Sequence, residues 1–163
     1  MIVMAIIAMV MTAGIPLASR ALQKDPLMKA VNDTLEGCKL ARDRAILQNR
    51  AYDFVIRNRN ENEAEMVVEP AKIKDGSPVA AITAARAKEV GSLVGDFPRK
   101  LGQDVAIELI YVNLVDQMGA SEARVRFYPN GTSDEFTVIY AYRGKRRIIK
   151  VDIITGTAWE AKE

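Results

Sequence analysis

Apolar positions change their spacing twice along the chain. From Met1 to Ala18 (MIVMAIIAMVMTAGIPLA) no residue is charged, and apolar side chains occupy every helical angle. Charge begins at Arg20, continues with Lys24 and Asp25, and stays frequent to the end. From Leu27 to Ile46 the apolar residues recur three and four apart. Met28, Val31, Leu35, Cys38, Ala41 and Ala45 share one face, and Lys29, Asn32, Glu36, Lys39, Arg42 and Asp43 lie largely off it. That is the pattern of a helix lying on a core, and these six apolar residues are expected to pack on a sheet. A membrane-spanning helix needs about 20 apolar residues to cross about 30 Å of hydrocarbon. Residues 1–24 are therefore expected to form the membrane-spanning half of one long helix, which runs on as an amphipathic half to about Asn49. Pro16 and Pro26 are expected to kink that helix, since proline removes one hydrogen bond and crowds the preceding turn.

After Asn49-Arg50 the period becomes two. Ala51–Ile56 and Glu65–Glu69 read as strands separated by the polar run RNRNENEA. Residues 70–102 read as loop with a short helix near Ala80 to Val90. The remainder is β throughout. Val105, Ile107, Leu109 and Tyr111 alternate on one face of a strand; Val125 and Phe127 lie opposite Arg124 and Arg126. Phe136, Val138, Tyr140 and Tyr142 align, as do Ile149, Val151 and Ile153. Pro129-Asn130-Gly131, Arg143-Gly144-Lys145 and Thr155-Gly156-Thr157 are turn signals, the first read as a structural hairpin turn. Strands joined by short turns predict an antiparallel sheet with one apolar face, and the amphipathic helix is the available cover. The fold class is α+β. Residues 1–24 are expected as anchor and 25–163 as the globular domain.

Composition narrows the chemistry. The 163 residues contain no histidine and carry a net charge of +2. Ser-His-Asp and Cys-His catalysis cannot be built from this chain alone, and the commonest metal ligand is missing. The lone cysteine, Cys38, reads as a small core residue. Glu61, Glu63 and Glu65 read as a solvated acidic run rather than a calcium site. No enzyme activity, cofactor, metal or small-molecule substrate is expected.

Four segments resemble type IV pilins and pseudopilins, with most similarity to the minor pseudopilin H group of type II secretion. VMAIIAMVMTAGIP (residues 3–16) is similar to the membrane half of the prepilin helix and its closing proline. KLARDRAILQNRAYDFVI (39–56) resembles the end of that helix and the first strand. VRFYPNGTSDEFTV (125–138) resembles the group's Phe-Pro-Asn-Gly-Thr hairpin, and VDIITGTA (151–158) its closing strand and turn. Residues 57–122 have no recognisable counterpart. Prepilins carry a basic leader, a glycine cut by prepilin peptidase, then phenylalanine and soon glutamate. Aligning on Pro16 places Met1 several residues inside the mature helix, so the natural start is expected upstream, with that glutamate just before Met1.

The resemblance implies a pilin-like fold and a structural role. Ile2, Val3, Ile6, Ile7, Val10, Ile15 and Pro16 would form the membrane anchor and fibre core. The implied partners are other pseudopilins or pilins in a helical fibre, the inner membrane and, for a full-length start, prepilin peptidase with its methylation step. The implied location is the bacterial inner membrane, single-pass, with the globular domain in the periplasm. The alternative is a minor pilin that captures DNA through Arg143, Lys145, Arg146 and Arg147, with Arg124 and Arg126 nearby in sequence. An ordinary solvated turn, charged against edge-to-edge pairing, is the favoured explanation of that cluster. Nucleic acid is accordingly not expected as a partner beyond non-specific affinity, with Kd no tighter than roughly 10⁻⁴ to 10⁻⁶ M.

Overall fold

The computed structural model describes residues 25–60, 63–71, 97–102 and 104–161. The expected bend at Pro16 and the short helix near residues 80–90 lie outside the described residues, as does the segment 1–24. Among the described residues no helix is long and apolar enough to cross a membrane.

Helix α1 (Pro26–Leu47) has 22 residues and defined ends. The Asp25 carboxylate accepts the Leu27 N–H at 3.1 Å, and its backbone (φ −49°, ψ 119°) is not helical. Its carbonyl accepts the Lys29 N–H at 3.0 Å, the first bond of the helix. Pro26 thus opens α1 instead of bending a helix that runs through it. At N1 the missing N–H would have had no intrahelical partner anyway, and the fixed φ suits the first turn. At the other end Asn49 adopts φ 47°. The Arg50 N–H reaches the Ala45 carbonyl and the Asn49 N–H the Ile46 carbonyl, the paired bonds of a Schellman stop.

Among the described residues nine strands follow: β1 (Tyr52–Asn60), β2 (Glu63–Pro70), β3 (Arg99–Lys100), β4 (Ala106–Val112), β5 (Val115–Asp116), β6 (Glu122–Phe127), β7 (Phe136–Tyr142), β8 (Lys145–Val151) and β9 (Ala158–Ala161). They make two antiparallel sheets, ordered β3-β2-β1-β6 and β5-β4-β7-β8-β9, where one sheet was expected. The break falls after β6. That strand pairs with β1, seventy residues back in sequence, and the chain then crosses to start the β7–β8–β9 meander. Helix α1 lies over both sheets, and its buried side merges with theirs into one core.

Two alternations differ from the sequence pattern. In β4 the pairing jumps from Ile107–Tyr140 to Leu109–Ile139, leaving Glu108 as an extra residue. Such a bulge exchanges the two faces of everything beyond it. Ile110 and Val112 are therefore buried, and Leu109 and Tyr111 are half-buried on the outer face. At the end of β8, Ile149 and Val151 are buried, but Ile153 sits exposed in the following turn because pairing with β9 ends at Val151.

Candidate functional site

The helix–sheet joint brings the buried side of α1 against both sheets. Val31, Cys38, Ala41 and Ala45 are buried, while Met28 and Leu35 are half-buried at the rim. The buried band also takes in Leu27, Ala30, Thr34, Gly37 and Arg44, so its axis is rotated toward Ala30, Thr34 and Gly37. These small residues escape a hydropathy search, because their value lies in letting the sheets approach. A Cβ on Gly37 would come within 2.5 Å of Phe54 Cε2 and 3.0 Å of Phe97. Phe54 in turn meets Phe136 edge-on at 6.3 Å, joining the two sheets beneath the helix. One turn earlier, the Thr34 hydroxyl donates to the Ala30 carbonyl at 2.8 Å and meets the Tyr140 hydroxyl at 2.8 Å. With the threonine proton so used, Tyr140 donates to Thr34. Met66 Sδ lies 3.4 Å from the same hydroxyl. One polar point therefore ties the helix to β7 and β2, and burial pushes the Tyr140 phenol well above its ordinary pKa. Burial likewise raises the Cys38 thiol far above its ordinary range, leaving it un-ionised.

At the C-terminal pole of α1 the two turn motifs meet. The Gly131 N–H bonds the Tyr128 carbonyl at 2.9 Å, and the Asn130 side chain accepts from the Thr132 N–H and hydroxyl. Pro129, Asn130 and Gly131 thus close a tight local turn, with φ 86° at Gly131. It closes a short antiparallel pairing, with Phe127 opposite Ser133 and the Tyr128 N–H on the Thr132 carbonyl, before the chain leaves the first sheet for the second. The Ser133 N–H bonds the Ile153 carbonyl at 3.0 Å, holding this turn to the Asp152–Thr157 turn. Arg42 of the helix donates from Nε to the Thr155 carbonyl at 2.7 Å. Gly156 has φ 59°, and a Cβ there would meet the Gly131 carbonyl oxygen at 2.5 Å. Gly156→Ala is therefore expected to cost about 2 kcal/mol, from strain plus a backbone clash, and more than Gly131→Ala. Equal melting temperatures for the two variants would refute the close approach.

The outer face of the first sheet carries a charge lattice. Asp53, 1 % exposed, accepts from Arg126 Nε at 2.9 Å and Nη2 at 3.2 Å, with Arg124 at 3.7 Å. Arg124 continues to Glu69 at 2.6 Å and Glu122 at 2.8 Å, and Arg57 bonds Glu69 at 2.6 Å. Burial pushes the Glu69 carboxyl up, but the Arg124 hydrogen bond and the Arg57 and Arg124 charges outweigh it, and the pKa ends below its ordinary value. A lowered folded-state pKa contributes stability that is present above the ordinary glutamate range and is lost as pH falls through the folded value. The parent is expected to lose stability on acidification below about pH 4, and Glu69→Gln to flatten that limb. Parallel acid-melting profiles for parent and variant would contradict the assignment.

At the N-terminal pole lies the β7–β8 hairpin. Arg143 (φ 48°) and Gly144 (φ 77°) form its two-residue turn, the backbone of a type I′ hairpin. The Arg143 guanidinium stands 5.1 Å over the Tyr142 ring. Arg146 pairs with Glu108 at 2.7 Å and Arg147 with Glu160 at 2.6 Å. Arg124 and Arg126 do not join this cluster. They belong to β6 in the other sheet, and carboxylates already hold them. Among the described residues no group of His, Cys, Asp and Glu could hold a metal ion. Of the acidic run, Glu65 pairs in register with Arg57 and Lys100, and Glu61 lies outside the described residues.

No family model and no curated protein matches the chain. It is similar to two crystal structures of the type IV minor pilin FimU of Pseudomonas aeruginosa strain PAO1, in space groups P65 and P21. Each is 16% identical and is matched over 83% of this chain. The match spans 93% of the FimU chain with a TM-score of 0.48 in the first, and 88% with 0.49 in the second.

Proposed function

We propose that this chain is a structural subunit of a pilus-like fibre, in the manner of a minor pseudopilin of type II secretion. Residues 1–24 are its membrane-spanning half and residues 25–163 its globular domain. Before assembly the protein is held in the bacterial inner membrane by one span, with the domain in the periplasm. In the fibre, Ile2, Val3, Ile6, Ile7, Val10, Ile15 and Pro16 belong to the apolar bundle, and the sheets face outward. Its partners are other pilins or pseudopilins and prepilin peptidase.

The observation that carries this reading is positional. The uncharged run Met1–Ala18 precedes, by a short charged stretch, a capped helix whose buried face packs on the sheets and on Phe97. An apolar run of that length suits lipid or neighbouring helices as its surroundings. DNA capture through Arg143, Lys145, Arg146 and Arg147 ranks second, because Arg146 and Arg147 are already paired with glutamates.

The full chain is expected to sediment with membranes and resist alkaline extraction, and a chain starting at Asp25 to stay in the supernatant, folded and cooperative in melting. A full chain that washes off membranes would sink the anchor. Sheared surface or periplasmic fibres from the producing cells should contain the protein, and its absence from such fibres would sink the subunit role.

A further inference from the structure

We propose that the β7–β8 hairpin is a docking surface for the anionic headgroups of a phospholipid bilayer, with Arg143 and Lys145 as its contact residues. The proposal rests on the reading of residues 1–24 as membrane-inserted, because that reading puts the start of α1 next to the lipid.

The starting observation is where the hairpin lies. Gly102 packs against the opening residue of α1: a Cβ on it would be 3.8 Å from Pro26 Cβ. The Gly102 carbonyl accepts the Val105 N–H at 3.0 Å, and the next residue, Ala106, pairs with Ala141, which is next to the Tyr142–Lys145 pair that closes the hairpin. The tip therefore occupies the same pole as the start of α1. The opposite pole holds Arg42, Gly131 and Gly156. Residues 1–24 join the domain at Asp25, at the pole that carries the hairpin and away from the far turns.

Charge and geometry then say what the tip meets. Arg143 and Lys145 have no carboxylate partner among the described residues, in contrast with Arg146 and Arg147. The Arg143 guanidinium is held over Tyr142, an arrangement that keeps it extended without neutralising it. Lys29, on the exposed side of the first helical turn, adds a third cation at this pole, and Arg20 and Lys24 precede it in the chain. The acidic groups facing the hairpin from β4 and its lead-in are Asp104 and Glu108, which line an open groove of about 450 Å³ beside it. Arg146 occupies Glu108. Cations presented to an anionic leaflet gain on the order of 1 kcal/mol each, screened beyond a Debye length. Two unpaired cations on a tethered domain would shift its docked-to-undocked ratio roughly thirty-fold. Lipid phosphate is favoured over nucleic-acid phosphate because the tether already brings this pole to the bilayer, where effective concentration is high.

The test uses the full chain with vesicles of neutral phosphatidylcholine, or of phosphatidylcholine with phosphatidylglycerol, both carrying a dansyl headgroup probe. Flotation reads the anchor. Energy transfer from Trp159, the single tryptophan, reads the height of the domain. Flotation with both compositions is expected, with higher transfer in anionic vesicles. The excess should disappear in the Arg143→Gln, Lys145→Gln double variant and, independently of any substitution, in high salt. Equal transfer in both lipids with flotation intact overturns the proposal and leaves the anchor standing. Flotation with anionic vesicles alone, lost in the double variant, supports the hairpin and overturns the anchor. Flotation with neither overturns both. Submicromolar duplex DNA binding that the double variant loses, without a lipid difference, assigns the hairpin to nucleic acid and overturns the proposal.

Discussion

Replacing Gly37 with valine is expected to destabilise the domain by about 3 kcal/mol, lowering its melting temperature by roughly 10 °C. Helix propensity predicts the opposite sign, since valine is a slightly better helix former than glycine by a few tenths of a kcal/mol. Packing decides. The new Cβ would lie 2.5 Å from Phe54 Cε2 and 2.9 Å from Cδ2. That ring is fully buried and braced edge-on by Phe136, so it has nowhere to go. Shrinking the ring should relieve the clash. Phe54→Leu alone costs stability, but combined with Gly37→Val it is expected to cost clearly less than the two losses added. Strict additivity would show that the helix does not press on the sheet at this point.

Asp53→Ala is expected to cost about 3 kcal/mol, although it lies on the face turned away from the core. Surface ion pairs are generally worth little, because water screens them and both side chains lose freedom. Asp53 differs in being 1 % exposed and receiving two hydrogen bonds from Arg126, with Arg124 beside it. Its removal leaves two guanidiniums crowded with no central anion, and the rest of the lattice loses its origin. The cost should persist in high salt, which would abolish that of an exposed pair. A loss that vanishes in salt, or an unchanged melting temperature, would reduce Asp53 to an ordinary surface charge.

The sequence states plainly what depends on local periodicity. The helix from Pro26 to Leu47, its polar side and the alternations in β6 and β7 follow from spacings of three to four and of two. The turn at Gly131 follows from residues that tolerate its backbone. Asp25 was legible too, as an acidic residue before a proline, had the proline been weighed as a first helical residue instead of a bend. The Glu108 bulge was not legible, because one extra residue in a run of mostly apolar ones leaves no mark until a partner strand sets the register. The hairpin cations were visible as a cluster, but not which of them were spent.

Sequence alone determined that a charge-free run precedes an amphipathic helix, that antiparallel strands follow, and that histidine-based chemistry is impossible. These are properties of composition and of neighbours a few residues apart. Only the tertiary structure decided that the strands divide into two sheets, that Gly37 lies against the Phe54 ring, and that Arg124 and Arg126 are locked onto Asp53. The same holds for the poles, with the basic hairpin beside Pro26 and the two glycine turns beside Arg42. Each of these depends on pairs far apart in sequence. Their energies come from burial and charge proximity, which exist only once the chain has closed on itself.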